Sequence, residues 1–275
     1  RIRTCGPLLP KQVRYQTALR PGERKILYMI YCKGAIHFCF AFLIFYGKIK
    51  RYFSTNCYLV HPMRMRKKKN LIPRLERCAV VHIKNPENHK GKWLELNRGC
   101  SELQLEIGCG KGRFTVQTAG NNPGTLLIAI EKVPDALVVA MERAVAAGLN
   151  NAYFITCDAA LLTEYFAEGE VQRIYINFCD PWPTKRHAKR RLTSPGFLGI
   201  YKAILAEGGE IDFKTDNAPL FEYSLEQFAE NGFELREVTR NLHENGICGV
   251  MTDYEEKFHN QGVPINRCVA KLIRQ

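Results

Sequence analysis

The feature that most constrains the fold is an alternation, in residues 101–275, of short apolar runs with longer helix-type patterns. Helices are predicted at 134–147, between Pro134 and Gly148, and at 220–230, which Gly232 follows. The alternation predicts a doubly wound α/β fold with a mostly parallel sheet, whose ligand lies at the carboxyl ends of the strands. Five strands are predicted at 103–107, 126–130, 152–156, 174–178 and 210–214, and two antiparallel ones at 233–238 and 266–273.

The composition supports a folded protein, because 46% of the 275 residues are apolar. The net charge of +13 is unevenly placed: residues 1–62 carry 11 Lys or Arg and one acid, whereas residues 63–275 carry 29 and 26 acids. None of the eleven cysteines forms a C-x-x-C pair, so no metal site is expected. We interpret them as reduced thiols of a cytoplasmic protein.

Residues 1–62 differ from the rest of the chain. Their uncharged apolar stretch, 35–46, is too short to span a membrane, and no signal-peptide cleavage pattern follows it. Met63 and Met65 open a basic run that resembles the start of a bacterial protein. We therefore expect 1–62 to be a non-native upstream or disordered extension without a stable fold, with a membrane anchor as the alternative. Residues 63–100 would form a basic N-terminal segment and 101–275 the main domain.

A glycine-rich turn follows the first predicted strand and precedes a helix. Gly108, Gly110 and Gly112 give the spacing G-x-G-x-G, whereas a dinucleotide fingerprint needs glycine at the position of Arg113. The turn therefore fits a cofactor without a pyrophosphate, such as S-adenosylmethionine, and the alternative is a tight turn with no ligand. Glu131 and Asp158 end the next two strands, where carboxylates can accept from ribose hydroxyls and an adenine amine.

A stiff loop and a basic run follow the fourth strand, where residues 178–191 read FCDPWPTKRHAKRR. Pro181 and Pro183 restrict the loop, and Asp180 stands at the strand end where a reacting centre is expected. The five Lys and Arg residues within 185–191 suit a phosphate backbone, although a basic surface helix is the alternative. We therefore predict contact with RNA.

The combination of these motifs resembles the bacterial tRNA (guanine-N7)-methyltransferase family. The resemblance is carried by LEIGCGKG at 105–112, the loop and basic run at 178–191, FKTDN at 213–217 and TDYEEKF at 252–258. It extends from about Met63 to the C-terminus. It implies the class I methyltransferase (Rossmann-like) fold with a seven-stranded sheet, S-adenosyl-L-methionine as cofactor, and guanine 46 of the tRNA variable loop as substrate.

The resemblance also implies roles for single residues. Asp180 would be the catalytic residue. Cofactor contacts would come from Glu106, Gly108, Gly110, Glu131, Asp158 and Asp180. Substrate contacts would come from Thr184, Lys185, Asp216, Thr252, Asp253, Tyr254 and Glu255. RNA contacts would come from Arg186, His187, Lys189, Arg190 and Arg191. Thr184 departs from the family, which usually has lysine there, and the neighbouring Lys185 could replace it.

Methyl transfer to N7 needs no base, because this nitrogen already carries a lone pair. We expect Asp180 or Asp216 to hold the amide and amine edge of guanine and to compensate the charge that develops on its imidazole ring. The residues of the 252–255 segment, without the resemblance, indicate only a capped turn before a short helix. The expected partner is tRNA, with no membrane and no metal, for a monomer or homodimer. A small-molecule methyltransferase, a non-catalytic RNA-binding protein of the same fold and a nicotinamide enzyme are the alternatives.

Overall fold

The computed structural model describes residues 69–273 and three strands closer to the N-terminus. The chain divides into two compact units, residues 1–62 and 63–275. In the first unit, β1 (Gln12–Gln16), β2 (Ile26–Cys32) and β3 (Ala35–Cys39) form an antiparallel sheet in the order β1-β2-β3. The sequence did not predict this sheet. The apolar stretch 35–46 continues beyond β3 outside the described residues, and the origin assigned to 1–62 stays a prediction.

The second unit contains a seven-stranded sheet in the order β6-β5-β4-β7-β8-β10-β9. Its pairings are parallel except for those of β10, which runs antiparallel to β8 and β9. The predicted doubly wound α/β fold is therefore confirmed. The strands are β4 (Glu102–Ile107), β5 (Thr125–Glu131), β6 (Ala152–Thr156), β7 (Val171–Asn177), β8 (Leu205–Thr215), β9 (Phe233–Thr239) and β10 (Asn266–Leu272).

The helices cover both faces of this sheet. They are α1 (Leu71–Arg77), α2 (Arg113–Asn121), α3 (Pro134–Ala146), α4 (Leu162–Tyr165), α5 (Pro195–Ile204), α6 (Ala218–Glu230) and α7 (Asp253–His259). Pro134 begins α3 as predicted, and α6 begins two residues before the predicted helix because the side chain of Asn217 caps the backbone N–H of Leu220. Among the described residues, no helix is long and apolar enough to cross a membrane.

The core consists of two layers, one on each face of the sheet. The layer on one face includes Ile128 of β5, Phe213 of β8 and Phe221 of α6, and the layer on the other face includes Leu127 of β5 and Leu137 of α3. Because helices cover both faces, β5 is buried along nearly its whole length rather than in alternate positions. Because β4, β5, β6 and β7 run parallel, their carboxyl ends lie at one edge of the sheet, where the loops that follow them can form a site.

Part of the segment predicted as 63–100 belongs to the same fold. Trp93 is fully buried, its indole N–H donates to the backbone oxygen of Tyr165 at 3.0 Å, and its ring stacks on Phe166. Arg74 of α1 forms an ion pair with Glu142 of α3. The described residues of this segment are therefore packed onto the main domain and do not form a free basic arm.

Candidate active site

A cavity of about 930 Å³ lies at the carboxyl ends of β4, β5, β6 and β7. Its size suits a ligand larger than a single amino acid. Six of the predicted site residues line it: Gly108, Glu131, Asp158, Asp180, Lys189 and Arg190. Asn177, Phe178, Trp182 and Phe197 are among the further lining residues, so the cavity is lined by carboxylates and by aromatic and cationic groups.

The glycine turn adopts a backbone that other residues rarely accept. Gly108, Gly110 and Gly112 have φ angles of 77°, 57° and 74°, all in the left-handed region. A Cβ atom at Gly112 would lie 2.4 Å from the Cβ of Ala140, so this glycine also permits the close packing of α2 on α3. The turn therefore leaves backbone exposed toward the cavity at Gly108, which lines it.

Two strand-end carboxylates are held in fixed orientations. Glu131 accepts from the backbone N–H of Gly110 at 3.0 Å and from that of Val133 at 2.9 Å. Asp158 accepts from the Lys132 ammonium at 2.7 Å, which lowers its pKa, and from the backbone N–H of Ala160. Each carboxylate keeps further lone pairs, so both could accept from a ligand in the cavity.

Glu106 lies beneath the cavity rather than in its wall. It is 1% exposed, accepts from the Thr115 hydroxyl, and accepts from Asn177 Nδ2 at 3.3 Å. Burial raises the pKa of Glu106 to about 7, against the lowering effect of these two hydrogen bonds. The cofactor contact predicted for Glu106 stays a prediction, and the described contacts connect it to the lining residue Asn177.

Asn177 was not predicted as a site residue. Its Oδ1 atom is buried and has no hydrogen-bond partner among the described residues. A buried amide oxygen without a donor is costly, so a ligand donor at this point would stabilise it. The sequence offered one signal, since Asn177 is a polar residue within the otherwise apolar segment 174–178 predicted as a strand.

The loop that carries Asp180 is flanked by strained backbone. Phe178 and Trp182 have φ angles of 53° and 39°, in the left-handed region that costs a residue with a side chain roughly 1 to 3 kcal/mol. Asp180 lies between them, is exposed and lines the cavity. Such strain persists where surrounding contacts fix the backbone, and two of the four non-glycine residues with positive φ in the described part of the chain flank the predicted catalytic residue.

The basic run forms a short 3-10 helix over Lys185–Arg190. Its side chains are mostly exposed, namely Lys185, Arg186, Lys189 and Arg190, with His187 half-buried. Arg190 lies over the Trp182 ring at 5.0 Å, and His187 meets the same ring edge-on at 5.8 Å. The run is thus presented to solvent beside the cavity, as the prediction of RNA contact requires.

Arg191 differs from the rest of the predicted RNA-binding set. Its guanidinium donates to the backbone oxygens of Pro181 and Trp182 and stacks at 4.2 Å over the ring of Tyr223 in α6. These contacts occupy the side chain within the fold.

The second predicted substrate segment forms the beginning of α7. Thr252 caps this helix in a capping box with Glu255, as the residues of this segment indicate. Glu255 is fully buried and accepts from Lys214 Nζ at 3.1 and 3.3 Å and from His243 Nε2 at 3.0 Å. In the described structure its carboxylate is thus enclosed by the protein. His243 lay outside every motif, and no sequence signal indicated it.

Two further predicted substrate residues, Tyr254 and Asp216, lie near the Asp180 loop but do not line the cavity. The Tyr254 ring is 5.3 Å from that of Phe178, and burial together with the charges of Asp216 and Asp180 raises the pKa of Tyr254. Asp216 is half-buried, and burial raises its pKa. These residues are therefore neighbours in space although they come from three distant parts of the sequence.

Asp253 and Thr184 are exposed. Asp253 is paired with Arg143 at 2.6 Å, and Arg143 also donates to the backbone oxygen of Lys111 in the glycine turn. Thr184 precedes the basic 3-10 helix and makes no side-chain cap there. The described residues contain no group of three or more His, Cys, Asp and Glu side chains arranged to hold a metal ion.

Comparison with known proteins places the chain among methyltransferases. The profile of a family described as "Putative methyltransferase" matches residues 101–268. The tRNA (guanine-N(7)-)-methyltransferase of Listeria monocytogenes serotype 4b is 46% identical over 213 residues, which cover 77% of this chain and 100% of that protein. The enzyme of the same name from Streptococcus suis is 46% identical over 211 residues, 76% of this chain and 100% of its own.

Solved structures support the fold. The 16S rRNA methyltransferase KamB aligns with a TM-score of 0.53 and 18% identity, over 67% of this chain and 94% of its own. A 16S rRNA (adenine(1408)-N(1))-methyltransferase with bound cosubstrate SAM aligns with a TM-score of 0.51 and 11% identity, over 67% and 91%. The class I methyltransferase fold expected from the resemblance is confirmed.

Proposed function

The chain belongs to the tRNA (guanine-N(7)-)-methyltransferase family, and we propose that it transfers a methyl group from S-adenosylmethionine to N7 of guanine 46 in the variable loop of tRNA. The observation that carries this proposal is the cavity itself, which has strand-end carboxylates on one side and an exposed cationic run on the other. The first feature suits an adenosine cofactor and the second a phosphate backbone.

The residues of the cavity fit S-adenosylmethionine. Glu131 would accept from the ribose hydroxyls and Asp158 from the adenine amine, since both carboxylates are already oriented by backbone donors. The unpartnered Oδ1 of Asn177 would accept from a polar hydrogen of the cofactor, such as one on its amino group. When bound, the cofactor supplies a methyl group activated on a sulfonium.

Asp180 and Asp216 would hold the substrate base. N7 of guanine attacks without losing a proton, so the contribution of the protein is alignment, which can lower a barrier by roughly 7 to 11 kcal/mol in favourable cases. A carboxylate on the amide and amine edge of guanine orients N7 and stabilises the positive charge that the imidazole ring gains. Tyr254, which lies beside both aspartates, would close the base pocket on the α7 side.

The basic run would bind the RNA backbone beside this pocket. Lys185, Arg186, Lys189 and Arg190 are exposed on one short helix that directly follows the Asp180 loop. Permanent cations beside the cavity would orient the tRNA so that a base can enter the cavity. A tRNA substrate also accords with our proposal of a cytoplasmic protein.

Calorimetry with the full chain tests the cofactor part of the proposal. We expect S-adenosylmethionine to bind and NAD not to bind, and Asp158→Asn to weaken the binding at least about tenfold, since it loses a charged acceptor. Glu102→Gln, an exposed change at the start of β4, serves as the control and leaves the affinity unchanged. Preference for NAD, or equal affinity of the wild type and Asp158→Asn, would contradict the assignment of this cavity.

A further inference from the structure

Arg191 is the last cation of the basic run, yet its side chain is directed into the fold. Its Nε donates to the Pro181 oxygen at 3.0 Å and to the Trp182 oxygen at 3.3 Å, and its Nη2 donates to the Trp182 oxygen at 3.1 Å. The guanidinium also lies 4.2 Å above the ring of Tyr223. The group is thus fixed on one side by an aromatic face and on the other by two consecutive carbonyl oxygens.

The backbone that carries Arg191 is itself anchored to the core. Thr193 is fully buried, and its hydroxyl lies 2.7 Å from that of Ser224, which neighbours Tyr223 in α6. The Ser194 hydroxyl donates to the backbone oxygen of Lys189. Arg191 therefore connects a rigid support, formed by α6 and the residues after it in the loop, to the loop itself.

The two carbonyl groups that Arg191 binds belong to the residues directly after Asp180. One of them is Trp182, whose φ of 39° is disfavoured for any residue with a side chain. Without a partner for its carbonyl group, this peptide would relax toward an ordinary conformation and move Asp180 with it. We propose that Arg191 is a positioning residue that holds the Asp180–Trp182 loop in its strained conformation, and that it is not an RNA contact. The predicted effect of Arg191 on kcat rests on the proposed function, whereas its predicted effect on the loop conformation does not.

Lysine cannot replace arginine in this role. A guanidinium presents several donors in a planar fork and stacks on an aromatic ring, whereas an ammonium is a single strongly hydrated point charge. Arg191→Lys therefore retains the charge that a phosphate contact needs and loses the geometry that holds the loop. The two roles consequently predict different results for the same variant.

Tryptophan fluorescence tests the loop directly and needs no activity. The chain has two tryptophans, of which Trp93 is fully buried and Trp182 lies in the loop. We expect Arg191→Lys to increase the acrylamide quenching of the Trp182 component at least about twofold, because the loop loses its fixed conformation. Arg240→Lys is the matched control. It makes the same substitution at an arginine whose guanidinium donates two hydrogen bonds to the Glu222 carboxylate of α6 and does not contact the loop. Quenching equal to that of the wild type in Arg191→Lys would overturn the proposal.

Steady-state kinetics and tRNA binding then separate positioning from RNA contact. We expect Arg191→Lys to lower kcat on the order of tenfold to a hundredfold, since small displacements of catalytic groups have such effects, while the Kd for tRNA changes less than about twofold. A raised Kd with unchanged kcat would instead identify Arg191 as a phosphate contact.

Tyr223→Leu provides a second, independent variant. It removes only the ring beneath the guanidinium and leaves every cation of the basic run in place. We expect it to increase Trp182 quenching and to lower kcat in the same direction as Arg191→Lys, by a smaller factor. Wild-type quenching in Tyr223→Leu would contradict the proposed support by α6. If neither the wild type nor the variants transferred methyl groups, the proposed function would fail while the quenching data still decided the role of Arg191.

Discussion

Glu106 should make the stability of this protein depend on pH. Its pKa is raised by burial from an ordinary 4.5 to about 7 in the folded chain. The folded state therefore retains a proton that the unfolded state has lost between these two values. The contribution of this proton to the free energy of unfolding is fully present below about pH 4.5 and is lost as the pH rises through 7. A difference of about 2.5 pKa units, at roughly 1.4 kcal/mol each, gives about 3.5 kcal/mol.

Glu106→Gln removes this titration while preserving the size of the side chain. Its amide oxygen can still accept from the Thr115 hydroxyl. Urea denaturation at pH 5 and pH 8 measures the free energy of unfolding of both proteins. We expect the wild type to lose about 2 to 3 kcal/mol of its free energy of unfolding, relative to the variant, when the pH is raised from 5 to 8.

Glu102→Gln is the matched control for this experiment, because it makes the same chemical change at an exposed position of the same strand. The free energy of unfolding of Glu102→Gln should differ from that of the wild type by the same amount at both pH values, within about 0.5 kcal/mol. If Glu106→Gln also showed no pH-dependent difference, the carboxyl group would be solvated or fully paired in the fold, and the reasoning from its burial would be refuted.

Three further outcomes are expected. Asp180→Asn should lower kcat far more than it lowers the affinity for S-adenosylmethionine, and equal losses would indicate a purely cofactor-binding role. Arg186→Gln should reduce the slope of log Kd for tRNA against log salt concentration by about 0.7 to 0.9, and an unchanged slope would remove this residue from the phosphate contacts. Glu255→Gln should lower the free energy of unfolding by about 3 to 5 kcal/mol, because it leaves the buried Lys214 ammonium without its partner. A stable Glu255→Gln with a raised KM would instead favour direct substrate contact.

The sheet could be predicted from sequence because short segments rich in apolar residues, most clearly that of β5, alternate with helical patterns and are separated by Gly and Pro residues. The strand predicted at 152–156 has those bounds in β6. The strand β4 begins one residue before the predicted 103–107, and β5 extends one residue beyond the predicted 126–130 at each end. The strand predicted at 210–214 was too short, since β8 begins at Leu205. Gly208 and Gly209 interrupt its apolar pattern, and the first part of β8 is irregularly paired with β7.

The positions of strand-end residues could also be predicted, because parallel strands place their carboxyl ends together. Glu131, Asp158 and Asp180 therefore meet at one cavity as expected. The direction of a side chain within a charged run could not be predicted, since Arg191 directly follows Arg190 in the same basic run. Only the position of α6 in space makes a ring and two carbonyl groups available to Arg191. Pattern alone cannot separate such contacts from RNA contacts.

Glu255 illustrates a second limit. Its motif gives the capping box that the structure contains, but burial of its carboxylate depends on Lys214 and His243, which come from β8 and from a loop. Sequence periodicity does not indicate which side chain from another helix, strand or loop will contact a given residue. The same holds for the sheet formed by β1, β2 and β3, which the charge and composition of residues 1–62 did not indicate.

Methyl transfer to two matched tRNA transcripts tests the central claim most directly. The full chain would be incubated with radiolabelled S-adenosylmethionine and unmodified tRNA that carries either guanine or adenine at position 46. We predict label only in the guanine transcript, followed by chain cleavage at that position under the conditions that N7-methylguanine permits. Equal labelling of both transcripts, or label that does not direct cleavage to position 46, would contradict the account.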